Sequence, residues 1–182
     1  MLDKLLDLIR GNAGEAVTNN PAIPNDKNEE AVQSAGSSIM ATLQNALAGG
    51  KIKDVLGYFT GKSDNNSDIV KQATTNYSTD LQTKMGLGAA EADDVANKVV
   101  PASMTQLANK TADPSDNGFK VQDIFNKLSG GKTSGLNVQE MINKYTGGKF
   151  DNDHDGDVDM DDLKGMFSGG AGGLMDKVKS LW

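Results

Sequence analysis

Apolar residues recur along this chain at helical spacing, and nowhere do they alternate with polar ones for long enough to propose a strand. The first stripe, Leu2, Leu5, Leu6 and Ile9, follows i, i+3, i+4, i+7, the apolar face of an amphipathic helix. A longer one runs from about Lys27 to Leu47 through Val32, Ala35, Ile39 and Leu43, and stops at Gly49-Gly50. Ile52, Val55, Leu56 and Phe59 mark a short third helix. Ser67 stands as N-cap of a fourth, whose Ile69, Ala73, Tyr77, Leu81 and Met85 turn inward. Residues 86–100 read as a turn and a helix, and Pro101 suits the first turn of the next one, where a missing N–H costs nothing. Between the first two helices, residues 11–26 hold Gly, Asn and two of the four prolines, the composition of an extended linker. The expected fold is all-α.

Past a loop at 112–118 the pattern repeats. VQDIFNKLSGGK (121–132) and VQEMINKYTGGK (138–149) agree at Val, Gln, Asn, Lys, Gly, Gly and Lys at an offset of 17 residues. IKDVLGYFTGK (52–62) is a looser copy. Each unit makes two to three helical turns closed by glycine, which enters the left-handed C-cap conformation cheaply. Helices this short do not persist alone in water, so they must dock on one another or on the central helices. Stacking for burial is the plainer role for such units, and a binding function of their own is the other. The expected architecture is a bundle of short Gly-terminated helices in three parts. Residues 1–26 form an amphipathic helix and linker, 27–117 a helical bundle, and 118–182 the repeat pair, an acidic loop and a C-terminal helix. The chain ends, LDKLLDLI and LMDKVKSLW, carry related stripes, and pairing them would bury Leu5, Ile9, Val178 and Trp182. Self-association through these terminal helices is the alternative. A membrane surface is disfavoured, because neither face gathers the Lys and Arg that anionic lipid attracts.

Composition removes several classes of function. The chain has 182 residues, enough for one domain or two small ones. It has no cysteine, which excludes disulfides, thiolate catalysis and Cys-ligated zinc or iron–sulfur sites. Its one histidine, His154, lies in the acidic loop, which leaves no base for a Ser-His-Asp arrangement elsewhere. Seventeen lysines and a single arginine, Arg10, in an acidic chain argue against a nucleic-acid partner. No apolar run approaches the ~18–20 residues of a transmembrane segment. Asp3, Lys4 and Asp7 interrupt the N-terminal stripe where a secretory signal would be apolar, so the expected setting is cytoplasmic.

The net charge of −7 has a single source. Seven aspartates fall in residues 151–162 of FDNDHDGDVDMDDL, and the rest of the chain carries as many acids as bases. Against the calcium-loop pattern D-x-[DN]-x-[DN]-G-x5-E, Asp151, Asp153, Asp155 and Gly156 fill positions 1, 3, 5 and 6. Calcium wants six to eight oxygens at ~2.3–2.6 Å, and three carboxylates on alternate residues of a tight turn converge on one ion. Asp157, at position 7, contributes its backbone carbonyl, Asp159 ligates directly or through water, and Val158 anchors the loop. Asp162 closes the set where a bidentate Glu is usual, and its shorter side chain narrows the preference for Ca²⁺ and leaves Mg²⁺ as the alternative ion. Asp161 is a bystander, and His154 at position 4 points away from the ion. A merely solubilising acidic run has no reason to place Gly and Val in those slots.

This loop resembles the EF-hand-like calcium loop of dockerin modules and related bacterial proteins, which commonly end in Asp. The resemblance covers 151–162 and the exit helix, with Met160, Leu163, Met166 and Phe167 as its stripe. Dockerins carry two such loops and one is found here, so cohesin binding is not implied. The Gly-punctuated helices of 35–150, with GLGAAEADDVANKVVPASMTQLANK, resemble the YidB-like bacterial helical proteins, a family grouped under a domain of unknown function, which implies an all-helical protein with no assigned activity. The expected function is a non-enzymatic calcium-binding helical protein. The alternative is an assembly or interaction protein in which the ion is only a clip. An enzyme is disfavoured because one ion would saturate the clustered acids, and GGKTSG lacks the upstream glycine spacing and strand of a phosphate loop.

Overall fold

The computed structural model describes residues 2–61, 65, 67–113, 115–131, 135 and 137–146. They form seven helices: α1 (Leu2–Ala13), α2 (Asn28–Ala48), α3 (Ile52–Phe59), α4 (Asp68–Met85), α5 (Ala89–Ala112), α6 (Val121–Leu128) and α7 (Val138–Thr146). No strand occurs among the described residues, and the fold is all-α as the periodicity requires.

The largest departure from expectation is α5. Pro101 was expected to open a new helix, but it sits inside a single one of 24 residues. A proline in a helix interior costs ~3 kcal/mol through a lost hydrogen bond and ring crowding. Burial outweighs it: Ala92, Val95, Ala96, Val99 and Val100 before the proline and Ser103, Met104 and Leu107 after it lie on one buried face. That face rests on α4 and α1, so breaking the helix would expose half of it. The Thr105 hydroxyl donates to the carbonyl of Pro101 at 2.8 Å, which steadies the turn beyond the ring.

Helix α2 packs on α4, α1 and α3 and buries Val32, Ala35, Ile39 and Leu43 of the expected stripe, while its last member, Leu47, is only partly buried. Helix α4 turns Ile69, Ala73, Tyr77 and Leu81 inward, while Met85 is only partly buried. Ser67 does occupy its N-cap position, and its carbonyl accepts from Lys71 at 3.1 Å. Its hydroxyl, however, makes no cap and has no hydrogen-bond partner.

The N-terminal helix is part of this core. Leu5, Leu8 and Ile9 are buried against α2 and α5, and Leu6 lies over Gly36 of α2 so closely that its Cδ2 is 2.8 Å from where a Cβ would stand. This stripe, expected to meet the C-terminal helix or a second copy, packs on α2 and α5 among the described residues; Val178 and Trp182 lie outside them. The following segment is not an extended linker. Gly14–Thr18 forms a π turn, and Val17 and Ile23, the apolar residues of a polar stretch, are both buried. Asn20 holds the bend by accepting from the N–H of Ala22 at 3.0 Å and donating to the carbonyl of Ala16 at 3.1 Å. Buried side chains from Leu5 to Met141 form one cluster.

Two helices end by the same device. After α2, the N–H groups of Gly50 and Lys51 donate to the carbonyls of Leu47 and Ala46 at 3.2 and 2.9 Å. After α6, Gly130 and Gly131 donate to Lys127 and Asn126 at 3.3 and 2.6 Å. This paired closure needs a left-handed residue, and Gly50 and Gly130 supply it with φ of 77° and 63°. Substituting Gly130→Ala should therefore cost ~1–2 kcal/mol. Gly11→Ala, in α1 with open space around its Cα, should stabilise by up to ~1 kcal/mol. Urea unfolding followed by circular dichroism should show midpoints moving in opposite directions.

Candidate functional site

The expected ligands Asp151, Asp153, Asp155, Asp157, Asp159 and Asp162 lie outside the described residues. What is described is the mount that leads to them. Helix α7 ends at Thr146, five residues before Asp151. Its start is held twice: Asn137 Oδ1 accepts the N–H of Glu140 at 3.0 Å, and Gln122 Oε1, reaching from α6, accepts the N–H of Val138 at 3.0 Å. Val138 and Met141 are buried, and α7 packs on α6. Helix α6 in turn buries Val121, Ile124, Phe125 and Leu128 and lies against α2. The Phe125 ring meets Phe59 of α3 at 6.0 Å between centroids, so two of the repeat units touch directly. The repeats dock on each other and on the bundle, as short helices must.

The loop at 112–118, expected as a boundary between two parts of the chain, has a related spelling. Asp113, Asn117 and Gly118 match positions 1, 5 and 6 of the calcium pattern, with Ser115 at position 3. Position 12 is Ile124, which is buried at 1% exposure and offers no oxygen from its side chain. The carboxylates are also committed. Asp113 Oδ1 accepts from the Ser115 hydroxyl at 2.6 Å and its N–H at 2.8 Å, and these bonds hold its carboxyl below the usual range. Asp116 accepts from the N–H of Gly118 at 2.7 Å and from Lys110 at 3.4 Å, with the same result. This loop closes on its own amides and a lysine and carries no metal set. Among the described residues no group of three or more Asp, Glu or His side chains is placed to hold a metal ion.

The remaining polar cluster joins α2 to α4. Asp80 accepts from Ser34 at 2.7 Å, from Lys84 at 2.8 Å and from Ser38 at 3.5 Å. Burial opposes its charge, but the hydrogen bonds from Lys84 and Ser34, the Lys84 charge and Ser38 outweigh it, so the carboxyl lies below its usual value. Burial pushes the nearby Tyr77 phenol up, so it stays neutral at any ordinary pH. Two shallow grooves flank α4, one lined by Thr42, Asn45, Gln72 and Asn76, the other by Thr74, Ser78, Asp93 and Asn97. The first also holds Lys51, Asp54, Asp68 and Lys71, and in the second the Ser78 hydroxyl donates to Asp93 Oδ1 at 2.6 Å.

No described helix is long and apolar enough to cross a membrane. Compared with protein-family models, curated proteins and solved structures, the chain matches none.

The Asp80 cluster makes a signed prediction. A carboxyl whose folded value is depressed contributes stability above the unfolded pKa of ~3.9 and loses it as pH falls through the folded value. Asp80→Asn should lower stability by ~1–2 kcal/mol at neutral pH. It should also flatten the decline in urea midpoint between about pH 5 and 2. An equally steep decline in the variant would place the acid sensitivity elsewhere.

Proposed function

We propose that this chain is a non-enzymatic calcium-binding helical protein whose EF-hand-like loop, residues 151–162, takes one divalent cation. The observation that carries this reading is register: acids at positions 1, 3, 5, 9 and 12, Gly156 at 6 and Val158 at 8 all fall where a calcium loop needs them. Asp151, Asp153, Asp155, Asp159 and Asp162 are the proposed side-chain ligands, and Asp157 acts through its carbonyl. Seven like charges within twelve residues repel one another in the absence of metal, so ion binding is coupled to ordering of this region. In the expected cytoplasmic setting, resting calcium leaves sites of ordinary sensor affinity mostly empty, so the loop there is a tight site or holds Mg²⁺.

Titration calorimetry at millimolar Ca²⁺ should show one binding event and a raised melting temperature, both abolished by chelator. Asp155→Asn, which removes a carboxylate from the first turn of the loop, should weaken binding at least ~10-fold, the equivalent of ~1.4 kcal/mol. Asp162→Glu, which restores the usual reach at position 12, should raise Ca²⁺ affinity and widen the margin over Mg²⁺. Neither heat nor thermal shift in the parent chain would end the reading.

A further inference from the structure

One dipeptide of the chain is chemically reactive toward itself. Asparagine before glycine occurs once, at Asn117-Gly118, and glycine, with no side chain, leaves its own backbone nitrogen unhindered beside the asparagine amide. The pair lies in the turn between α5 and α6. Asn117 is exposed, and its side chain makes no hydrogen bond among the described residues. The attacking nitrogen, by contrast, is held. The Gly118 N–H donates to Asp116 Oδ1 at 2.7 Å, the bond that closes an Asx turn. Asp116 is fixed in turn, since its own N–H donates to the carbonyl of Asp113 at 3.1 Å and Lys110 Nζ lies 3.4 Å from its Oδ2. On the other side Phe119 is buried, with the Lys110 ammonium 5.8 Å from its ring centre. The reactive pair is thus pinned before and after.

We propose that Asn117-Gly118 is a latent self-modification site, where the asparagine is converted to aspartate and isoaspartate, and that the Asp116 carboxylate keeps it closed by holding the Gly118 N–H. In the reaction the Gly118 nitrogen gives its proton to hydroxide and bonds to the Asn117 side-chain carbon, and the side-chain nitrogen takes a proton from water and leaves as ammonia. Water then opens the cyclic imide at either carbonyl. One route leaves aspartate, the other isoaspartate, whose main chain is one methylene longer. No co-reactant other than water is needed. The bond to the carboxylate must be given up before the nitrogen can attack, which slows conversion ~10–100-fold. Either product adds a negative charge beside Asp113 and Asp116, and isoaspartate lengthens the chain just before Phe119, the buried residue at the entrance to α6. A transient opening of the turn is thereby made permanent.

The test incubates the full chain at mildly alkaline pH, in buffer and in strong urea, cuts it at lysine under mildly acidic conditions and reads the 111–120 peptide by mass spectrometry. Asn117 is the one amide side chain in that peptide, so the mass gain of an amide-to-acid exchange reports it alone. Conversion should be at least ~10-fold slower in buffer than in urea. Asp116→Ala, with its helical circular dichroism retained, should convert in buffer at least ~10-fold faster than the parent. Asp113→Ala, which removes the bonds to Ser115 and leaves the Gly118 N–H held, should stay close to the parent. Hydrogen exchange of the Gly118 amide in the parent is the second readout, independent of any variant, and it should be slowed in buffer by a similar factor. No conversion in urea overturns the site. Conversion or amide exchange as fast in buffer as in urea overturns the hold on the nitrogen, as does a folded Asp116→Ala that converts no faster than the parent. Equal acceleration by Asp113→Ala and Asp116→Ala overturns the role of Asp116 and gives the protection to the turn as a whole.

Discussion

The fold depends on α5 remaining one helix through Pro101. Its buried face spans both sides of the ring, from Ala92 to Leu107, and supplies a common floor for α4, α1 and α3. Two helices joined at a bend would present two shorter faces at an angle, and the pairing of α4 along α5 could not continue past it. The proline therefore sits where local preference and tertiary burial conflict most directly, and burial wins because eight inward residues outweigh one missing hydrogen bond.

On this floor the smaller helices are held by contacts that no isolated segment could make. Helix α6 is eight residues long, below what persists in water, and it exists because Ile124, Phe125 and Leu128 find Phe59 and the side of α2. Helix α7 depends on α6 in turn, through Val138, Met141 and the Gln122 side chain that accepts its first N–H. Order is thus handed outward along the chain, from a long central helix to a short one and then to a shorter-range clamp. Among the described residues α7 is the last member of that series.

Much of this was legible in the sequence because stripe and stop coincide. Val32 to Leu43 and Ile69 to Leu81 lie inward where a period of 3.6 puts them, and the glycines at 50, 61, 86 and 130 after four of the helices take positive φ. Three things were not legible. Pro101 was read by its preference for a helix's first turn, which is a local rule, and the answer lay in residues on α4 and α1. The segment 11–26 has the polar composition of a linker, but 11–13 belong to α1 and the rest is held by two side chains, Val17 and Ile23, that find a place in the core. The N-terminal stripe packs on α2 and α5, a choice of partner that its periodicity alone does not carry. Of the candidate site, the sequence carries the ligand register, and the structure describes the hairpin that precedes it.

The two loops of related spelling show how a helical protein can carry acidic turns in different ways. At 113–118 two carboxylates suffice to organise the bend, because backbone amides and Lys110 take up their charge and Ile124, at the place of a closing ligand, goes into the core instead. The stretch 151–162 is far richer in acid. Seven carboxylates exceed what the amides of one short turn satisfy, and there is no lysine or arginine within the loop. Such a sequence has a closing acid, Asp162, where the other loop has an aliphatic residue, and on the proposed reading an external cation takes up its charge. The register begun at 113–118 is not completed, since positions 9 and 12 are Val121 and Ile124, whereas at 151–162 the same positions are Asp159 and Asp162, two of the proposed ligands. At 113–118 the loop is neutralised by the protein itself, whereas at 151–162 the excess of acid is the physical ground for assigning a metal.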